Sequence, residues 1–262
     1  MVRQASEKYR ATGDTRAYSA CPKKRKARQF VVDCWRAFSG SPSIPPGRQY
    51  LTLCGPMTAS DGRLASGCEL RQLESVGFCK PEQVIAAEIQ RATYEANRRA
   101  VERAYPKSAR PTLICGDILD VMRAYQRDGR LAASVVYLDT ISEAGNAVPL
   151  LRSTLNVLNH IDGPTLVAWN VISERLCPRM VAYPWDVHDT GMRAAVADFI
   201  HDLLTKDELF REFYRHGWDM FPEGDSEGGA FGGARYEPST ATQMTTYVFV
   251  RRRKACGDDC GC

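Results

Sequence analysis

The chain has 262 residues, 44% of them hydrophobic and 25% charged, which is length for one large domain with a substantial core and the balance of an ordinary soluble globular protein. No apolar run reaches the ~18 residues of a membrane span, and the polar, basic N-terminus lacks the apolar stretch of a secretory signal, so no membrane association is expected. The net charge of +4 is uneven: residues 1–30 carry nine Lys/Arg against Glu7 and Asp14, or +7, leaving −3 for the rest.

Residues 1–24 are polar and aperiodic and read as a flexible basic arm. From Arg25 to Phe38, the side chains Phe30, Val31, Cys34, Trp35 and Phe38 fall at helical spacing and predict an amphipathic helix with Trp35 and Phe38 in its core face. The stretch SGSPSIPPG (39–47) ends that helix, so residues 1–47 form arm, helix and linker. Tyr50–Leu53 is a strand candidate. Ser66 and Glu69 have capping-box spacing before Leu70, Leu73 and Val76, with Gly77 as the stop.

Further strands are expected at Val84–Ala87, Thr112–Cys115, Ser134–Leu138 and Thr165–Trp169, with helices at 90–104, 118–126 and 148–158 between them. The strand runs are continuously apolar, as strands buried on both faces are. Beyond them, 191–215 reads as a long helix, His216–Met220 and Thr245–Val250 as strands joined by a Gly-rich loop, and 253–262 as a Cys-rich flexible tail. Five strands alternating with helices, followed by a terminal strand pair, predict an α/β fold. It has a mainly parallel doubly wound sheet, helices on both faces and an antiparallel C-terminal addition, spanning residues 48–252.

Ligands on such sheets bind beyond the carboxyl ends of the strands. Strand one leads into Cys54-Gly55-Pro56, strand two ends at Glu88, strand three at Gly116-Asp117, strand four at Asp139 and strand five at Asn170. This order of end residues resembles the class I S-adenosylmethionine-dependent methyltransferases, whose fold is a Rossmann-type sheet with a reversed last strand. The resemblance implies that Cys54 and Gly55 begin the loop around the methionine part of S-adenosylmethionine. It implies that Glu88 binds the ribose hydroxyls, that Asp117 meets the adenine amino group, and that Asp139 faces the transferred methyl. The family's compact Gly-x-Gly-x-Gly is replaced here by GPMTASDGRLASG, with glycines at 55, 62 and 67. Neither an Asp/Asn-Pro-Pro-aromatic motif nor a Pro-Cys nucleophile is present, so no motif names the acceptor.

Simpler roles stand beside these. Asp117 could cap the helix that follows, and Asp139 could cap or turn. KKRKAR (23–28) serves either as a solubilising tail or as a phosphate-attracting segment, nucleic acid being the partner expected. Among four histidines without metal spacing, His188 in WDVHD is the candidate for acid–base work beside Asp139. Cys256, Cys260 and Cys262 match no common zinc module, and no metal is expected. The ten cysteines, with Cys54 and Cys115 in or at the ends of apolar runs, are expected to be mostly free buried thiols in the cytoplasm or another reducing compartment. The expected activity is methyl transfer from S-adenosylmethionine; the rival is a non-catalytic Rossmann-like module binding nucleic acid or a protein.

Overall fold

The computed structural model describes residues 22–172, 213–220, 234–236 and 244–251. Its centre is a parallel sheet of β1 (Gln49–Leu53), β2 (Val84–Glu88), β3 (Thr112–Cys115), β4 (Ala133–Glu143) and β5 (Thr165–Ile172). The last long strand, β8 (Met244–Arg251), runs antiparallel to β5, and both β6 (Trp218–Met220) and β7 (Ala234–Tyr236) pair antiparallel with β8. The order is β3-β2-β1-β4-β5-β8-β6 with β7 beside β8. This is the doubly wound, mainly parallel architecture with a reversed C-terminal addition that the sequence predicts.

The helices are α1 (Pro22–Ser39), α2 (Glu69–Ser75), α3 (Arg91–Ala104), α4 (Ile118–Arg127) and α5 (Ala144–Leu158). Because side chains alternate across a strand, each strand feeds two cores. Leu51, Ile85, Val136, Leu138, Val167 and Trp169 pack with residues of α4 and α5, among them Met122, Leu151 and Leu155. Tyr50, Ala86, Val135, Tyr137, Ala168 and Val248 pack with α1, α2 and α3 through residues such as Val31, Trp35, Leu73 and Val101. Trp35 is fully buried and Val31 nearly so. At about 1.5–3 kcal/mol for each such side chain, α1 is anchored to the sheet and shares its core.

Four local expectations change. The first helix begins at Pro22, three residues before Arg25, with a proline whose missing N–H costs nothing in a first turn. The basic run 23–28 is therefore helical, and Lys24 and Arg28 within it are buried. The expected capping box does not form: Cys68 is the N-cap without a side-chain bond, because Glu69 turns inward to Tyr50 and Thr52. Gly77 stops the segment as expected, at φ +64°. Strand four does not end at Asp139; its β-branched continuation carries β4 to Glu143 across a register break after the Asp139–Asn170 pair. The following helix starts at Ala144, four residues before Val148, and keeps Pro149 inside its second turn.

Of the thiols, Cys34, Cys54, Cys68 and Cys79 are free and buried as expected. Cys115 is free but exposed, which corrects the expectation of burial for it. Among the described residues no helix is long and apolar enough to cross a membrane.

Candidate functional site

In the strand order, β2 and β3 lie to one side of β1, while β4 and β5 lie to the other. The switch point is thus between β1 and β4, and the crevice is at their carboxyl ends. Gly55 after β1 and Asp139 on β4 flank it, with Glu88 and Asp117 on the β2–β3 side.

The loop after β1 is built without the compact glycine motif. Cys54 N donates to Ala87 O at 3.1 Å and continues the ladder for one residue. Gly55 then turns at φ +44°, and a Cβ there would meet nothing within 4 Å, so its glycine answers to conformation and not to crowding. Asn97 of α3, almost fully buried, holds the turn. Its Nδ2 donates to Gly55 O at 2.7 Å and to Cys54 Sγ at 3.7 Å, and its Oδ1 accepts from Met57 N at 2.9 Å. A bridge between Thr58 and Leu64 closes the rest of the loop. Cys54 is buried, and burial pushes its thiol pKa up, with the nearby Glu88 charge adding to it, which disfavours the thiolate.

Glu88 ends β2 and is partly buried. Burial raises its pKa, while backbone N–H groups of Gln90, at 2.7 Å, and Ile89 oppose the shift by holding the carboxylate. Gly116 N donates to Glu88 O at 3.1 Å, which ties the start of the β3–α4 loop to the same spot. Ile89 beside it is 66% exposed, a large apolar side chain open to solvent next to Glu88. Asp117 is the N-cap of α4 and accepts from Leu119 N at 2.7 Å. The helix-capping role is therefore realised; it leaves the carboxylate exposed at the crevice rim.

Asp139 lies in a buried polar cluster that sequence reasoning largely missed. Asn170 Nδ2 donates to its Oδ1 at 2.6 Å, and Asn170 Oδ1 accepts from Thr246 Oγ1 at 3.3 Å. The three residues face each other in register across β4, β5 and β8. Lys24 Nζ of α1 donates to Asp139 Oδ2 and forms an ion pair with it. Lys24 is 1% exposed, and burial lowers its pKa against the opposing pull of Asp139.

One turn on, buried Arg28 donates to Gln72 Oε1 at 3.0 Å and Gly67 O at 3.4 Å. Glu69, also buried, accepts from Tyr50 Oη at 2.6 Å and Thr52 Oγ1 at 3.2 Å. Burial raises the Glu69 pKa, with the Arg28 charge the largest opposing influence. Buried charges are tolerated only when compensated: Lys24 is ion-paired with the partly buried Asp139, while Arg28 and Glu69 are hydrogen-bonded to neutral groups and feel each other's charge.

The structure thus gathers Cys54, Gly55, Glu88 and Asp117 on one side of the crevice and places Asp139 on the other. His188 and the thiols of the tail lie outside the described residues. Among the described residues no cluster of His, Cys, Asp and Glu could hold a metal ion. A cavity of about 420 Å³ lined by Arg48, Gln126, Leu131 and His160 opens at the amino ends of the strands, the wrong end of the sheet for such a crevice.

Lys24 and Arg28 had a sequence signal: they extend the buried stripe Val31–Trp35–Phe38 backwards at helical spacing. Asn170 had one too, in phase with Leu166 and Ala168. Asn97 and Glu69 had none, because their partners are set by tertiary packing.

No protein-family profile matches the chain, and no curated protein does. Solved structures similar to it include Sp1610 of Streptococcus pneumoniae, a candidate tRNA (m1A22) methyltransferase, at 10% identity and TM-score 0.44, covering 87% of this chain and 72% of that one. An S-adenosylmethionine-dependent methyltransferase of Agrobacterium tumefaciens is 12% identical at TM-score 0.44, over 88% of this chain and 62% of that one. SMU.776, a candidate methyltransferase solved with S-adenosylhomocysteine, is 11% identical at TM-score 0.42, over 86% and 48%. The strand order with its switch between β1 and β4 and its reversed β8 is that of a methyltransferase-like Rossmann fold.

Proposed function

We propose that the chain transfers a methyl group from S-adenosylmethionine to an acceptor held over the β4 end of the crevice. The observation that carries this is the set Gly55, Glu88, Ile89 and Asp117 on adjoining loops. It joins an approachable backbone turn, a carboxylate suited to a ribose diol, an exposed apolar side chain and an exposed acid at the rim. That donor set fits S-adenosylmethionine, which when bound supplies an electrophilic methyl on a positive sulfur. The protein then has to bind it, orient the acceptor and exclude water, since proximity and alignment supply much of the rate. His188 is a further acid–base candidate from the sequence alone. The free buried thiols fit a reducing compartment such as the cytoplasm.

The acceptor we favour is nucleic acid, because the basic excess is concentrated in residues 1–30. Only part of that excess can meet phosphate. Lys24 and Arg28 are buried, whereas Arg25 and Lys26 are exposed on the first turns of α1. The test is incubation with methyl-labelled S-adenosylmethionine and, separately, bulk RNA, DNA and protein. The expected result is label in a nucleic-acid fraction, lost in Glu88→Ala and reduced by salt. Label confined to protein would move the acceptor. Absence of label, together with no binding of S-adenosylmethionine, would sink the reading and favour a non-catalytic module. The spread of the glycines to 55, 62 and 67 speaks for that alternative.

A further inference from the structure

A second cationic feature lies on the folded domain, outside the basic segment 1–30. Helix α3 carries four arginines, Arg91, Arg98, Arg99 and Arg103, and two acids, Glu95 and Glu102. Both acids go to one arginine: Arg98 Nη2 meets Glu95 Oε2 at 3.0 Å, and Arg98 Nη1 meets Glu102 Oε1 at 3.0 Å. Asn97, Ala100 and Val101 face the core, while Arg99 and Arg103 are exposed beside the Arg98 network. Four residues apart, they are neighbours of like charge, an arrangement that weakens a helix. Arg91, also exposed, sits in the first turn, where the helix dipole disfavours a cation and no acid is present. Helix stability therefore accounts for Arg98 and not for the other three.

The loop after β1 brings a further guanidinium to the same place. Its tip is a tight turn: Ala59 N donates to Arg63 O at 2.8 Å, Gly62 N donates to Ala59 O at 2.9 Å, and the Thr58–Leu64 bridge closes it. Gly62 stands at φ +74°, and a Cβ there would lie 3.4 Å from Arg103 Nη1. The tip is therefore docked on α3 at Arg103, with Arg63 next to it and its side chain 82% exposed. Asp61 is the acid of the tip: its Oδ1 accepts from Arg63 N at 2.9 Å, and its Oδ2 lies 3.9 Å from Arg63 Nε. Outside the Arg98 network, the exposed guanidiniums of Arg63, Arg99 and Arg103 thus share a surface with Asp61 alone among the acids of these two segments.

Arg91 follows Glu88 by three residues and so stands at the crevice end of α3. At a rise of about 1.5 Å per residue, Arg99 lies about 12 Å and Arg103 about 18 Å farther along the helix. The cations run from the crevice down the outside of the domain. Guanidiniums meet phosphate oxygens through paired N–H donors, and a row of them on preformed elements matches the regular charge repeat of a polyphosphate chain. We propose that α3 and the loop after β1 form a surface for the sugar-phosphate backbone of a nucleic acid. Arg63, Arg99 and Arg103 are its phosphate contacts, and Arg91 leads the strand towards the crevice. The proposal rests on the nucleic-acid reading above for the class of partner and deepens it by placing contacts on the folded domain, apart from the arm. Such contacts position the strand and do not read its bases.

The test is equilibrium binding of mixed-sequence single-stranded RNA and DNA to the full chain over a series of salt concentrations, with polyglutamate as a control polyanion. The double variant Arg99→Gln, Arg103→Gln should bind about tenfold or more weakly at low salt. Its slope of log affinity against log salt should be shallower by about 1.4, at about 0.7 for each phosphate contact on a single strand. Arg99→Lys with Arg103→Lys, which keeps both charges, should retain most of the affinity and slope. The melting temperature of the Gln variant should be unchanged or slightly higher, since a like-charge neighbour pair is removed. Arg25→Ala with Lys26→Ala probes the arm, and its loss should add to that of the Gln variant. Nucleic-acid binding that the Gln substitutions leave unchanged overturns the proposal, while the nucleic-acid reading stands on the arm. Polyglutamate bound as tightly as nucleic acid, and weakened equally by the Gln substitutions, overturns it as well, because the surface then takes any polyanion. No binding of RNA or DNA by the wild type at low salt overturns the nucleic-acid reading and this proposal with it.

Discussion

The two faces of the sheet are packed by different rules. The face under α4 and α5 carries no buried charge among the described residues: Leu51, Val136, Leu138, Val167, Leu151 and Leu155 are at or near zero exposure, and its buried polar groups, such as Thr154, are neutral. The face under α1, α2 and α3 is equally buried, yet it holds Lys24, Arg28, Glu69, Thr52, Asn97 and Asn170. An apolar core is satisfied by volume alone, whereas buried charges must each find a partner. The α1 face therefore carries a cost that the other avoids, and that cost is concentrated at the carboxyl ends of β1 and β4. This concentration of buried charge lies beside the switch-point crevice at which the proposed function places its cofactor.

The comparison is broken most sharply at Lys24. Lys24→Met leaves the partly buried Asp139 carboxylate without its cation and should cost up to about 3 kcal/mol in denaturant unfolding, the low end of the range for breaking a buried pair. Adding Asp139→Asn should recover a large part of that loss, since a neutral buried pair is far less costly than an orphaned charge. If the single and double variants lose the same stability, Lys24 and Asp139 are not energetically coupled.

On the opposite face, Leu151→Ala should cost about 2–5 kcal/mol through the cavity it leaves. Affinity for S-adenosylhomocysteine should stay within about twofold, because no charged partner is disturbed. A large loss of affinity in a variant that remains folded would mean that the two faces are not separable in function.

A smaller effect distinguishes the faces by pH. Burial raises the Glu69 pKa above its ordinary value of 4.5, so in the window above 4.5 the folded state binds more protons than the unfolded one. Stability then falls as pH rises through that window and is regained as pH drops back toward 4.5. Glu69→Gln should flatten this slope, measured as unfolding free energy against pH. A slope unchanged by the substitution would show that Arg28 fully compensates the burial of Glu69.

The sheet was legible in the sequence because its strands are apolar runs bounded by turns and because the helices between them are periodic. Glu88 and Asp117 were legible for the same reason, each following a run that could be counted, whereas Asp139 was expected to end its strand and lies inside β4. The charged cluster was not. Lys24 and Arg28 lie in a run of basic residues whose average character is that of a solvated tail; only their phase with Val31, Trp35 and Phe38 marks them as inward. Glu69 resembles a helix cap in sequence, and its bonds to Tyr50 and Thr52 exist only once α2 packs on β1. A continuously apolar strand also conceals which of its faces is polar, so the row Asp139–Asn170–Thr246 emerges only from the register of three strands.

The central claim is that the carboxyl end of the α1 face binds S-adenosylmethionine through Glu88. It is tested most directly by titrating S-adenosylhomocysteine into the wild type and Glu88→Ala. The account predicts saturable binding of one ligand per chain, weakened tenfold or more in the variant. That corresponds to the loss of hydrogen bonds to a charged group at about 1.5–3 kcal/mol, with the melting temperature nearly unchanged. Equal affinity in the two proteins, or no binding by the wild type, would contradict it.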